Sequence, residues 1–234
     1  MNCIFNMISK IFSFVSMVII TIYLILTGQN IKTYWRLNEQ INFDPLTIYP
    51  EQDFEKDLLR IFFDGRSQGV YVLCTKPNSS KTTIIKKILH QIQYFGGKSE
   101  VKVYYIDNTS KNVTLYLKPV YIDVSKLQIQ KNNIDWFANQ FGKNGYGNFV
   151  ETIPENNKAI IVLDHMSRDI IDGFNNTFET SSAKCFYTAL ATQSYNTGLK
   201  YVVLVVTNDE FYAHDILMLN SMHKFHSVIK KRLI

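Results

Sequence analysis

A chain of 234 residues, 46% apolar and 14% aromatic, holds enough material for one well-buried domain and too little for two large ones. Its formal net charge of +5 comes from scattered lysines, densest at Lys230-Lys231-Arg232, and no basic-aromatic stripe accompanies it, so a nucleic-acid-binding role is not expected. Cys3, Cys74 and Cys185 are widely spaced, with no Cys-x-x-Cys pair and no histidine at zinc-ligand spacing, which speaks against a disulfide framework and a zinc site.

From Ile11 to Gly28 no side chain is charged, and Ile, Val, Phe, Leu and Met dominate, about the minimum length that crosses a bilayer. Only Lys10 precedes this core and no Ala-x-Ala-like site precedes Gln29, so residues 1–28 are expected to be a transmembrane anchor, in lipid through residues 11–28, rather than a cleaved signal peptide. Lys32 and Arg36 balance Lys10 and the amino terminus, and charge alone does not orient the span. Residues 29–50, punctuated by Asp44-Pro45 and Tyr49-Pro50, suit a linker, and the domain proper is expected over residues 51–234.

After Pro50, Phe54, Leu58, Leu59, Phe62 and Phe63 recur at helical spacing up to Gly65. Val70-Tyr71-Val72-Leu73 reads as a buried strand, and Ile84, Ile85, Ile88, Leu89 and Ile92 mark a second helix that begins near Lys81. Val101–Ile106 and Val113–Leu117 are expected to pair as a hairpin, with a separate strand at Pro119–Val124 and a helix around Ile134–Phe141. Ala159–Asp164 and Tyr201–Val206 are uninterrupted apolar strands, separated by a helix at Ser182–Tyr195. A helix near Glu210–Asn220 and a short strand near Phe225–Ile229 complete the pattern. Apolar strands alternating with helices predict a three-layer α/β sandwich with a mostly parallel sheet of about five strands.

The chemistry concentrates at three strand ends. Thr75-Lys76-Pro77-Asn78-Ser79-Ser80-Lys81-Thr82 lies at a strand-to-helix junction, where exposed amides and the helix N-terminus attract anions. Aligned on G-x-x-x-x-G-K-[ST], it keeps the Lys and the Thr, followed by Thr83, while Thr75 and Ser80 replace both glycines. Lys81 would then reach phosphate and Thr82 would offer its hydroxyl to magnesium. Asp164 ends one apolar strand, where a parallel sheet presents ligands to its crevice, and Asn208 follows the other, with an amide for phosphate or water. Each has an ordinary alternative: a helix-capping turn, a loop-capping carboxylate and a turn-forming Asn.

In their order, strand–loop–Lys–Thr–helix, then strand–Asp, then strand–Asn, these residues resemble the P-loop ATPases of the AAA+/STAND group, over about Glu51 to the C-terminus, with Pro77 where that group's loop often carries Pro. The resemblance implies Lys81 and Thr82 as Walker A, Asp164 as the Walker B aspartate, Asn208 as sensor 1, and ATP with Mg2+ as the ligands. Joined to the span read at residues 11–28, it implies a membrane-anchored, ATP-binding domain on the cytosolic side, working with a protein partner or further copies of itself. Three departures bear on hydrolysis, which is expected to be slow or absent. His165 stands where an acidic neighbour of Asp164 is usual, and it could accept a proton near neutral pH. Ser80 brings a Cβ to the phosphate-facing turn, and Thr75 forfeits the freedom to take positive φ. Little chain follows Asn208, so no helical lid is expected after it, and Arg168, a few residues past Asp164, could serve as a phosphate-facing arginine or simply occupy an exposed loop. The rival reading is a degenerate P-loop fold that binds no nucleotide and serves as a membrane-bound interaction module.

Overall fold

The computed structural model describes residues 2–26, 39–44, 53–64, 67, 69–104, 110–126, 153, 154, 156–167, 201–218 and 225–227. The chain divides into two compact units, Met1–Arg36 and Leu37–Ile234. The first unit is α1 (Asn2–Leu26), a helix of 25 residues whose apolar side chains Ile11, Phe14, Ile19, Ile22 and Ile25 are exposed. Thr21 donates its hydroxyl to the Met17 carbonyl one turn back, at 2.8 Å, so its polar atom is satisfied inside the helix. Among the described residues no helix is long and apolar enough to cross a membrane. The side chains at 2–9, 12, 13 and 24 of α1 lie outside the described residues, and the membrane assignment rests on the sequence.

The second unit is mixed α/β. Its elements are α2 (Asp53–Phe63), β1 (Gly69–Cys74), α3 (Lys81–Tyr94), β2 (Lys98–Tyr104), β3 (Ser110–Asp123), a 3-10 turn at Val124–Lys126, β4 (Asn157–Asp164), β5 (Tyr201–Thr207), α4 (Glu210–Met218) and β6 (Phe225–Ser227). They build a six-stranded sheet in the order β2-β3-β4-β5-β1-β6, where about five strands are expected, with the first strand of the predicted hairpin as the edge strand β2. Every pairing is parallel except β2 with β3.

The expected break before Pro119 does not occur: β3 runs unbroken for 14 residues. Its first half pairs with β2 up to Tyr116, and from there to Asp123 it pairs, among the described residues, with β4. Pro119 thus falls where the strand has one hydrogen-bonded flank, a position that tolerates a missing N–H. The predicted helices around Ile134–Phe141 and Ser182–Tyr195, and Arg168, lie outside the described residues.

Burial follows the sequence periodicities. On α3 the side chains of Ile84, Ile85, Ile88, Leu89 and Ile92 are fully buried, and they join Leu58 and Phe62 of α2 against Leu73, Leu117, Ile160, Val162, Val202, Leu204 and Val206 of the sheet. The alternate strand residues Ile161, Leu163, Val203 and Val205 point to the other face and are equally buried, the mark of a parallel sheet covered on both sides. Tyr212, Ala213 and Ile216 of α4 are buried as well, with α4 packed on β1, β5 and β6.

The topology decides where a ligand can enter. After β1 the chain crosses β5, β4 and β3 to reach β2 at the far edge, whereas after β5 it crosses β1 to reach β6. Connections leaving neighbouring strands in opposite directions open a crevice at their carboxyl ends. Thr75, His165 and Asn208 are the first residues beyond β1, β4 and β5 on that side.

Candidate functional site

At those strand ends lies a cleft of about 500 Å³, within the usual range for small-ligand sites. Pro77, Asn78, Ser79, Ser80, Lys81 and Thr82 form one wall, Asp164, His165, Met166 and Ser167 the next, and Thr207, Asn208 and Asp209 the third. Of the residues read from the sequence, Thr75, Lys76 and Thr83 do not line the cleft. Thr75 and Lys76 supply backbone carbonyls behind it, and Thr83 sits half-buried on α3.

Lys81 opens α3 and is only 8% exposed, because the loop folds over its stem. Its ammonium donates to the carbonyls of Thr75 (3.3 Å) and Lys76 (3.0 Å), to Ser79 Oγ (3.3 Å) and to Asn208 Oδ1. Lys81 and Asn208, 127 positions apart in the chain, are in direct contact. Burial lowers the Lys81 pKa below its ordinary value, while the Asp164 carboxylate and the Cys74 sulfur counter that by favouring the charged form.

Asp164, at the end of β4, is 1% exposed yet fully engaged. Its Oδ2 accepts from Thr82 Oγ1 (2.7 Å) and from the Tyr121 phenol (2.7 Å), and its Oδ1 accepts the backbone N–H of His165 (2.8 Å). Burial first, then the Asp164 charge, raise the Tyr121 pKa far above its ordinary value, so this phenol stays a donor at every physiological pH.

The loop turns through two left-handed residues, Asn78 (φ 61°) and Ser80 (φ 57°), and His165 (φ 61°) is a third. All three line the cleft. Asn and His enter this region more readily than most residues, Ser does so at a cost, and such outliers gather at functional sites. Here one expectation is corrected: Thr75 is not among the positive-φ residues, so the glycine missing there costs no backbone strain, and the strain falls on Ser80. Ser80 makes no side-chain capping bond, although its carbonyl accepts the first helical bond, from Ile84 N–H at 3.0 Å.

Tyr121 and Asp123 also belong to the site, although neither stands out in the sequence. Asp123 ends β3 in register with Asp164, and its Oδ1 meets His165 Nδ1 at 3.1 Å. The rule that picked out Asp164, a carboxylate at the carboxyl end of a parallel strand, picks out Asp123 equally, but the reading ran that strand on to Val124 and hid its end. Tyr121 carried no signal, since an alternating strand Tyr is ordinary.

Among the described residues no group of three or more His, Cys, Asp or Glu could hold a metal. The described residues therefore offer no cage built of such side chains alone. Thr82 and Asp164 instead set two oxygen donors side by side at the foot of the loop. That set fits a small hard cation that takes one carboxylate from the protein and shares the rest of its shell with phosphate and water.

No protein-family profile matches the chain, and no curated protein does. Among solved structures, the S. cerevisiae Hsp104:casein complex in its extended conformation is similar over 86% of this chain and 30% of its own, with a TM-score of 0.43 and 15% identity. The present chain thus spans about a third of that chain's length, and a likeness so distant carries no functional weight.

Proposed function

We propose that the chain is a membrane-anchored, ATP-binding P-loop domain with slow turnover. The observation that carries this reading is the convergence of Lys81, Thr82, Asp164 and Asn208, read from three separate strand ends, around one cleft. Lys81 is a desolvated cation held on a helix N-terminus, an arrangement suited to the terminal phosphates of a nucleotide. On binding, its ammonium exchanges loop carbonyls for phosphate oxygens. Thr82 and Asp164 would hold Mg2+, which when bound offsets charge on the phosphates. Asn208 orients a phosphate oxygen or a water through its amide.

Membrane anchoring is supported by the uncharged run Ile11–Gly28, by the exposed apolar face of α1 and by the internal satisfaction of Thr21. Anchored chain should stay with membranes through alkaline extraction, and its release would dismiss the span. A cytosolic domain and assembly with a protein partner or further copies follow from nucleotide access and from the family resemblance.

A second reading, an interaction module without nucleotide, draws on one observation. Lys81 already has four acceptors and Asp164 three donors, so the site closes on itself with no ligand. Thermal melting of the full chain in lipid nanodiscs separates the two. At about a hundredfold excess of Mg-ATP over its dissociation constant, binding raises stability by about 2 to 3 kcal/mol. No shift with millimolar ATP or GTP would favour the interaction module.

A further inference from the structure

We infer that the corner of the domain around Tyr94, Phe95 and Tyr116 rests on the phospholipid headgroups of the bilayer that holds α1. The inference rests on the membrane-anchored reading above, goes beyond it, and is independent of nucleotide. Tyr94 is 76% exposed, Phe95 77% and Tyr116 41%. The rings of Tyr94 and Phe95, at the C-terminal end of α3, meet edge to face with centroids 5.1 Å apart. Tyr94 and Tyr116 line one cleft of about 360 Å³ together with His90, Gln93 and Lys118, and the Lys98 ammonium lies 5.8 Å from the centre of the Tyr116 ring. Exposed aromatic side chains gathered in one place, rather than scattered singly, mark an interaction surface.

The path of the chain selects lipid as the occupant. The segment 39–44, which follows the linker from α1, is clamped at this same corner. Gln93 donates from Nε2 to the Glu39 carbonyl at 2.6 Å and accepts the Ile41 N–H at Oε1 at 3.0 Å. Ile41 is buried in the core, Gln40 lines the cleft beside Tyr94 and Tyr116, and the Phe43 ring lies 6.0 Å from that of His90. Only residues 27–38 separate α1 from Glu39, a stretch that reaches no more than about 45 Å when fully extended. The exposed rings thus stand at the point where the chain from the anchor joins the domain.

The chemistry of the corner suits a headgroup layer. Tyrosine presents an apolar ring with a polar tip, and lysine carries its ammonium on an apolar stem, the two properties that favour these side chains at a membrane–water boundary. Tyr94, Phe95 and Tyr116 would lie among the glycerol and upper acyl groups, with Lys98 and Lys118 at the phosphates. Glu39, Asp44 and Glu100 are exposed as well. The attraction therefore comes from the rings rather than from net charge, and zwitterionic lipid suffices.

The test reconstitutes full chain in phosphatidylcholine vesicles, either plain or brominated near the headgroup end of the acyl chains. With Trp35→Phe and Trp136→Phe as background, Phe95→Trp puts a fluorescent reporter on the corner, and Phe211→Trp puts one at a comparably exposed position on α4, which packs on β1, β5 and β6. The expected result is emission at position 95 that is shifted to the blue and quenched by bromine, with neither effect at position 211. Adding Tyr94→Glu and Tyr116→Glu to the reporter at position 95 should abolish the quenching while the melting temperature, which reports an intact fold, stays level. Retention in the vesicles without quenching at position 95, equal quenching at both positions, quenching untouched by the two Glu substitutions, or a blue shift that bromine does not quench, the sign of a protein surface over the ring, would each overturn the headgroup contact and leave the anchor standing. Release of the chain from the vesicles by alkaline extraction would overturn both.

Discussion

At residue scale, the cleft is assembled from groups whose partners are distant in the chain. Lys81 meets Asn208, Thr82 meets Asp164, and Tyr121 meets Asp164 from the neighbouring strand. The motif residues were legible because the spacing of Lys81 and Thr82 after a buried strand belongs to a phosphate-binding loop. Their second partners were not, since nothing in local sequence reports which residues of β3 stand in register with β4. Ser80 offers a direct probe. Its left-handed backbone opposes its Cβ by roughly 1 to 2 kcal/mol, which outweighs or matches the entropic cost of a glycine. Ser80→Gly is expected to leave the melting temperature level or higher and to tighten nucleotide binding. Equilibrium titration checks this, and weaker binding in the glycine variant would mean that the Ser80 side chain itself holds the ligand.

The elements tell a different story. Strands β1, β4 and β5 and helices α2 and α3 were readable because each carries a complete periodicity, continuous apolar for the strands and i, i+3, i+4 for the helices. The boundary at Pro119 was misread because proline normally ends a strand, whereas a strand paired on one flank only, as β3 is here among the described residues, admits it. The turn from α3 into β2 depends on Gly97. A Cβ there would stand 2.8 Å from Ile92 Cγ2 and 3.3 Å from Leu117 Cβ, in a corner where Gly97 also donates to the Ile92 carbonyl and accepts from Leu117. Gly97→Ala is expected to destabilise the domain by about 1 to 3 kcal/mol, through overpacking rather than backbone strain, as read from chemical denaturation. A change within about 0.5 kcal/mol would show that the corner yields freely.

For the whole molecule, the sheet separates two buried lysines with different work. Lys81 lies at the ligand end. Lys158, fully buried near the start of β4, donates to the carbonyls of Asp64 and Ser67 at the opposite end of the strand. Burial lowers its pKa from the ordinary 10.5 to about 8, with Asp64 only partly offsetting this. Between those values the unfolded chain binds the proton that the folded chain has released, so stability rises with pH across this window. Below about 8 both states are protonated and the burial penalty is fully present. Tyr121 and Tyr201, whose pKa values burial raises, act in the opposite sense once unfolded tyrosine ionises near 10, so the comparison with a variant is the clean one. Lys158→Met should lose the Lys158 share of that rise, so that its stability climbs less than that of the unaltered chain between about 8 and 10, a difference that urea denaturation at a series of pH values reads. Parallel pH curves for the two proteins would show that Lys158 keeps its ordinary affinity for the proton.

A P-loop function requires that nucleotide occupy the cleft. Calorimetric titration of Mg-ATP into the full chain in nanodiscs, beside Lys81→Ala, tests it most directly. Saturable heat at one site per chain, lost in Lys81→Ala while the variant keeps its fold, is the predicted result. No heat in the unaltered chain, or the same heat in both, would contradict a phosphate site built on Lys81.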